Sequence, residues 1–228
     1  MQTCRLIDLG LKAYGDTRDL QLQLFNGKIE QKLKGEKPTH HLIFVEHPHV
    51  YTLGKSGELS NLLADETRLK MLGAEVHHIE RGGDITYHGP GQLVAYPIFD
   101  LEQLGLGVKS FVEGIENSII QTLKKWDIES GIIKDRIGVW IDIDKPGERK
   151  IAAIGIKCSR YVSMHGLALN VNTNLNMFGH IVPCGIVGKD VTSMEKEFQR
   201  QIDMFDIKNE LGRQFAVTFG LKFENETQ

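Results

Sequence analysis

The chain has 228 residues, 41% of them apolar and 25% charged, with a formal net charge of −3. That length suits one full-sized domain with its own core. The charge leaves no overall electrostatic footprint for nucleic acid, and the longest apolar runs, such as Leu42–Val45, are far too short to span a membrane. The opening MQTCRLIDLGLKAYGD has neither the basic start nor the apolar stretch of a signal peptide. Cys4, Cys158 and Cys184 are widely spaced and form no CxxC pair, which argues against a disulfide framework or a zinc site. A reducing cytoplasm, where a free thiol stays reactive, is the expected compartment.

No repeat, low-complexity tract or linker interrupts the chain, so residues 1–228 read as one domain. Asp16 or Thr17 caps a helix running to about residue 34, with Leu20, Leu24 and Leu33 among its apolar positions. Strands are expected at His41–Glu46 and Val50–Leu53, a helix at Asp65–Leu72, and strands at Ala74–Glu80 and Gln92–Phe99. Pro97 marks the last of these as an edge or a bulge. Val108–Trp126 has helical periodicity through Val112, Ile115, Ile119 and Leu123. Strands at Ile137–Ile143, Ile151–Cys158 and Gly166–Val171 follow, then helices around Ser193–Phe205 and Ile207–Phe219 and a short LKFE strand. Strands and helices mix without regular βαβ alternation, which predicts an α+β fold rather than a doubly wound one.

Three segments have compositions that core packing explains poorly. Arg81–Gln92, RGGDITYHGPGQ, is too rich in glycine and proline for a good helix or strand. It reads either as a tight loop or as backbone that approaches a ligand closely, and it fits neither common nucleotide-loop pattern. Lys150–Lys157, KIAAIGIK, is a strand with a lysine at its start and small residues in its middle, able to line a pocket. A lone lysine there reads more often as a solvated turn residue. In Ile181–Gly185, IVPCG, a proline restrains the chain before Cys184 and a glycine frees it after. A nucleophile on such a turn is well exposed, and the next backbone N–H can stabilise an oxyanion. The competing reading is a buried structural thiol, which suits Cys158 better than Cys184. His40, His41, His47, His49, His77 and His78 form close pairs without a partner set for a metal, and His47-Pro-His49 reads as a turn. His88 and His165 each adjoin glycine in a pocket-like segment.

Together, Arg81–Ile98 (RGGDITYHGPGQLVAYPI), Lys150–Lys157, His165–Asn172 (HGLALNVN) and Pro183–Ile186 (PCGI), followed by Val191-Thr192-Ser193, resemble the lipoyl(octanoyl) transferase family, lipoate–protein ligase B. The resemblance implies the biotin/lipoate protein ligase-like fold, a mixed β-sheet flanked by helices in a single catalytic domain. It implies transfer of octanoyl, with lipoyl as an alternative group, from acyl carrier protein to a specific lysine of lipoyl domains, the first step of protein lipoylation. Those acceptors are domains of 2-oxoacid dehydrogenase E2 subunits and the glycine cleavage H protein. By residue-level carry-over Cys184 is the acyl-thioester nucleophile and Lys150 its partner. Arg81, Gly82, Gly83, Asp84, Ile85, Thr86, Tyr87 and His88, with Ala153, Ile154, Gly155, Gly166, Leu167 and Ala168, line the acyl pocket. No metal or cofactor is implied, and the family leans towards a monomer.

The chemistry suits those residues. A cysteine keeps thioester energy in a covalent intermediate, so no ATP is needed. A free thiol has a pKa of about 8.5, and a nearby ammonium favours its thiolate. Lys150 can then shuttle protons between carrier thiol and acceptor amine. Three rivals stand beside this reading: an ATP-dependent lipoate or biotin ligase, a cysteine hydrolase using His88 or His165 as base, and a non-catalytic acyl-binding module.

Overall fold

The structure, a computed structural model, describes residues 1–182 and 190–224. In chain order the elements are β1 (Gln2–Leu11), α1 (Tyr14–Leu33), β2 (His40–Glu46), β3 (Val50–Leu53), α2 (Glu66–Leu72), β4 (Glu75–His78), β5 (Ile85–His88) and β6 (Gln92–Ile98). They continue with α3 (Val108–Lys124), β7 (Gly131–Ile133), β8 (Arg136–Ile141), β9 (Arg149–Ser159), β10 (Val162–Asn170), β11 (Asp190–Val191), α4 (Met194–Phe198), α5 (Met204–Phe219) and β12 (Leu221–Glu224). Among the described residues nine strands form one mixed sheet in the order β12-β1-β2-β6-β10-β9-β8-β7, with β11 alongside β9. β1 runs parallel to β2 and β12, whereas β2–β6–β10–β9–β8 are antiparallel. A second sheet, β4-β3-β5, stands apart from the first. No described helix is long and apolar enough to cross a membrane.

Helices cover both faces of the large sheet, because each face carries an apolar set that must leave water. On one face α3 and α5 bury Phe111, Ile115, Ile119, Leu211 and Phe215 against Leu42, Leu93, Leu169 and Val139. Phe99, Phe111, Phe215 and Phe219 meet there in tilted and edge-on pairs, with centroids 5.4 to 6.4 Å apart. On the other face α1 packs Phe25, with Leu20 and Leu24, over Ile43, Val45, Val94 and Met164. A smaller cluster, with Tyr51, Leu53, Ile85 and Tyr87, joins the second sheet to a 3₁₀ turn at Leu175–His180.

The mixed α+β architecture agrees with the sequence pattern, and the differences are local. β1 escapes a periodicity reading because Arg5, Asp8 and Gly10 interrupt its apolar residues; its place is set by parallel pairing with distant strands. α1 begins at Tyr14 rather than at an Asp16 or Thr17 cap, and Thr17 instead donates its hydroxyl to the Ala13 carbonyl from inside the helix. Leu33 is exposed, and the buried stripe of α1 is Tyr14, Thr17, Gln21, Phe25 and Lys28. Pro97 does not mark an edge, since β6 lies between β2 and β10. The β10 ladder stops at Ala95, two residues short of the proline, so the missing N–H falls where pairing has ended. The last helices divide earlier than expected: Gln199, at φ 54°, ends α4, and Asp203 caps α5 by accepting the Phe205 N–H.

The core also encloses histidines that a surface reading would have left in water. His47 is fully buried, bonded to the Lys12 carbonyl at 2.8 Å and the Tyr96 hydroxyl at 2.9 Å. Burial pushes His40, His41 and His47 down to about 4, and His88 and His165 down to about 3. In the unfolded chain these rings take up protons near pH 6.5, whereas the fold keeps them neutral well below that. Between those limits the unfolded state binds more protons, so stability rises with pH and is lost as pH falls from 6.5 towards 4.

Two outcomes follow for equilibrium urea unfolding. The unfolding free energy, and with it the midpoint, should fall steadily between pH 7 and pH 4.5, the free energy by up to about 1.4 kcal/mol per pH unit for each histidine protonated only on unfolding. A flat profile over that range would mean that the rings are already charged in the fold. At pH 7, Phe215→Ala should cost about 3–5 kcal/mol with little change in m-value, because the α3–α5 layer cannot close over the lost ring.

Candidate active site

The turn Arg81–Asp84 is clasped between two strand backbones. Gly82 N–H donates to the Ile156 carbonyl of β9 at 2.9 Å; Lys55 and Ser56, just beyond β3, donate to Arg81 and Gly83 at 3.0 and 3.2 Å. At Gly54 a Cβ would run into the Gly83 carbonyl, and at Gly155 one would lie 2.9 Å from the Gly82 carbonyl and 3.0 Å from Arg81 Cδ. Glycine is required at both points because backbone approaches backbone from two sides. The buried Arg81 side chain donates to the Thr52 carbonyl at 2.7 Å and Oγ1 at 3.1 Å, and to the Gly82 carbonyl at 3.0 Å. Asp84 accepts the Ile85 N–H at 2.6 Å and the Asn61 amide at 2.8 Å.

This turn forms one wall of a mostly apolar cavity of about 510 Å³. Arg81–Thr86 line one side, Ala153–Ile156 of β9 and Ala168 of β10 the floor, and Val108 and Val112 of α3 with Ile137 and Trp140 of β8 the other side. Small side chains on β9 leave the space open, and the Val112 and Trp140 flanks keep it apolar.

Lys150 stands on the lining at the start of β9. Its Nζ donates to the Ile137 carbonyl at 3.2 Å and lies 4.6 Å from the centroid of the Trp140 ring, in cation–π range. The strand is fixed just before it, where Arg149 bonds Glu197 of α4 through Nε at 2.8 Å and Nη2 at 2.6 Å and also pairs with Asp142. β11 then pairs with β9 directly opposite: Val191 faces Lys150, and Thr192 N–H donates to the Lys150 carbonyl at 2.9 Å.

A chain of buried amides runs from this rim inward. Thr192 offers its carbonyl to Asn170 Nδ2 at 3.0 Å, Asn170 Oδ1 accepts Gln92 Nε2 at 2.9 Å, and Gln92 Oε1 lies 2.8 Å from His88 Nδ1. With Gln92 presenting its oxygen, the network assigns the His88 proton to Nδ1. His88 lines a smaller adjoining cavity of about 50 Å³ with Tyr14, His165, Gly166 and Leu167. Arg81, Thr86, Ala153, Ile154, Gly155 and Ala168 belong to both cavities. His165 adopts a left-handed φ of 63° inside β10, with its N–H bonded to Gln21 Oε1 at 3.1 Å.

The structure therefore gathers most of the residues singled out in the sequence around one space, in two groups. Arg81–Thr86, Ala153–Gly155 and Ala168 line the large cavity; His88, Gly166 and Leu167 meet the small one. Tyr87 lines neither, since strand alternation turns it into the second sheet's core, where its hydroxyl meets His49 Nδ1 at 2.7 Å. The twelve-residue glycine-rich segment is not all loop, because Ile85–His88 pairs as β5 with β3. His88 and His165 stay neutral to about 3 through burial. Val112, Ile137 and Trp140 had no motif to single them out, although the spacing of Val112 within α3 placed it on the inward side of that helix. Cys184, with Pro183 and Gly185, lies outside the described residues. Burial pushes the Cys4 thiol up to about 12 and raises that of Cys158, so neither described thiol is primed as a nucleophile.

Comparison with known proteins agrees with this arrangement. The chain is 48% identical to an octanoyltransferase of Bacteroides fragilis strain YCH46 over 210 residues, 92% of this chain and 95% of that protein. It is 48% identical to one from Cytophaga hutchinsonii over 229 residues, 96% and 94% of the two chains. The fold is that of a bipartite lipoate protein ligase from Thermoplasma acidophilum, with a TM-score of 0.73 at 17% identity over 99% of this chain and 87% of that one. A biotin protein ligase from Aquifex aeolicus is more distant, with a TM-score of 0.51 at 10% identity over 96% and 69%. Residues 21–216 match the lipoyl protein ligase A/B catalytic domain. Clasped turn, apolar cavity and rim lysine are thus held in a scaffold shared across its length with these relatives, and the chain belongs to the lipoyl protein ligase A/B catalytic family.

Proposed function

We propose that this chain is an acyltransferase that moves octanoyl from the thioester of an acyl carrier protein to a lysine of a lipoyl domain, through a thioester on Cys184. The observation that carries the reading is Lys150 on the lining of an apolar cavity, close to described residues that flank Cys184 in the sequence. On one side Val182 N–H donates to the Asn61 carbonyl at 2.8 Å, and Asn61 in turn bonds Asp84. On the other, Val191 is paired with Lys150 itself. The raised thiols of Cys4 and Cys158 leave no primed thiol among the described residues.

The steps balance without another reactant. The Cys184 thiolate attacks the carrier thioester carbonyl, the new C–S bond forms, and the carrier sulfur leaves with a proton from the Lys150 ammonium. Neutral Lys150 then takes a proton from the acceptor amine as that nitrogen attacks the Cys184 thioester. The amide forms, the Cys184 thiolate departs, and the ammonium is restored. An acceptor lysine with a pKa near 10.4 must first lose a proton to solvent, which a neighbouring base assists. Each methylene buried in the cavity contributes about 0.8 kcal/mol, enough to hold a medium-length chain. Arg81–Thr86, Ala153–Gly155 and Ala168 hold the acyl chain, with His88, Gly166 and Leu167 at its far end. The acceptors are lipoyl domains of 2-oxoacid dehydrogenase E2 subunits and of the glycine cleavage H protein. The enzyme acts as a cytoplasmic monomer in which the thiol stays reduced.

Incubation with octanoyl-carrier protein, without ATP, should add the mass of one octanoyl group to the intact protein and lose it again on addition of a lipoyl domain. Cys184→Ala should show no adduct and no transfer. An adduct that persists in that variant would falsify the assignment.

A further inference from the structure

One peptide unit takes part in seating Lys150. The carbonyl of Ile137 accepts its Nζ at 3.2 Å. The N–H of that same unit belongs to Gly138 and donates to Oε1 of Glu116 at 3.0 Å. In a trans peptide the C=O and N–H point in opposite directions, so Glu116 holds the back of the peptide whose front receives the ammonium. Glu116 lies on α3 and is only 7% exposed. A carboxyl so placed is costly unless it is bonded, and Gly138 N–H is the partner that the strand presents to it.

Gly138 explains why the peptide needs holding. Its φ is +125°, a conformation open to glycine and strained for other residues, and a Cβ there would lie 2.6 Å from the Ala152 carbonyl and 3.3 Å from Lys150 Cε. The absent side chain lets the lysine stem lie against the strand. The residue at 138 itself does little to fix the orientation of the 137–138 peptide, because glycine tolerates the alternatives. The ladder offers little restraint here, since the β8–β9 register shifts between Val139 and Trp140.

We infer that Glu116 is a positioning residue for Lys150, acting through the Ile137–Gly138 peptide rather than by touching the reacting atoms. The inference rests on the proposed Cys184–Lys150 pair. The charged groups acting on Glu116 are Glu113, one turn back on α3, and Lys150 from β9. A hydrogen-bond acceptor at position 116 is the required feature. Glu116→Gln, which keeps an acceptor at the same reach, should therefore preserve most of the function. Glu116→Leu removes the acceptor, and Glu116→Asp withdraws it by one methylene.

The test follows the pH profile of Cys184 alkylation by iodoacetamide together with kcat and KM for octanoyl transfer, with Lys150→Ala alongside. In Glu116→Leu and Glu116→Asp the alkylation midpoint should move up in the direction of Lys150→Ala, and kcat should fall about tenfold with KM for carrier protein nearly unchanged. Glu116→Gln should stay within about threefold of the parent. If Lys150→Ala shifts the profile while folded Glu116→Asp and Glu116→Leu keep the parent profile and kcat, the inference is wrong. If Lys150→Ala itself leaves the profile unmoved, the Cys184–Lys150 reading fails instead. Should Glu116→Leu not fold, Glu116→Asp against Glu116→Gln still decides: equal profiles and equal kcat in those two overturn the role.

Discussion

The cavity exists because the Arg81–Asp84 turn is wedged between two strand backbones that carry no side chain at the points of contact. Gly54 on one flank and Gly155 on the other allow carbonyls and the Arg81 stem to approach closer than a Cβ would permit. Arg81 then spends its guanidinium on the Thr52 and Gly82 carbonyls. A buried cation tied to carbonyls has a large desolvation cost, offset only while those bonds hold. The clasp is consequently stiff, and it joins the small β4-β3-β5 sheet to the large one at the cavity wall.

That stiffness has a chemical purpose on the reading proposed above. An acyl chain offers no polar handle along its length, so it can be oriented only by the shape of what encloses it. The cavity supplies shape from backbone and from small, aliphatic and aromatic side chains, with Lys150 as the lining ammonium. The histidines at the inner end remain neutral through burial, so the one reactive ammonium is not in competition with others along the chain's path.

Much of this was legible in the sequence for a definable reason. The segments Arg81–His88, Lys150–Gly155 and Gly166–Ala168 are spaced across the chain, yet each carries glycine or alanine where a packed core would place branched residues. The anomaly is local, and the structure brings most of these residues, though not Tyr87, to the lining of the two cavities. Features that depend on distant partners were not legible. β1 is defined by β2 and β12 rather than by its own alternation, and Pro97 sits in a central strand because pairing on its β10 side has already ended. Glu116 reads as one more polar residue of a long helix, and only the reach from α3 to the start of β8 reveals what it holds. The buried histidines are similar: nothing in the pair His40-His41 or in His47-Pro-His49 announces that the sheet will close over them.

The amide chain from His88 through Gln92, Asn170 and Thr192 to Lys150 has a consequence for dimension. It fastens β6, β10 and β9 to one another at the end of the strands where Lys150 stands, so the separation from there to the glycines further along β9 and β10 is counted in strand residues. From Lys150 to Gly155 that is five rises along an extended backbone, about 17 Å. The cavity is in this sense a ruler graduated by covalent geometry. Substitutions in its lining can alter its bore, whereas its length is written into the number of residues between the lysine and the glycine.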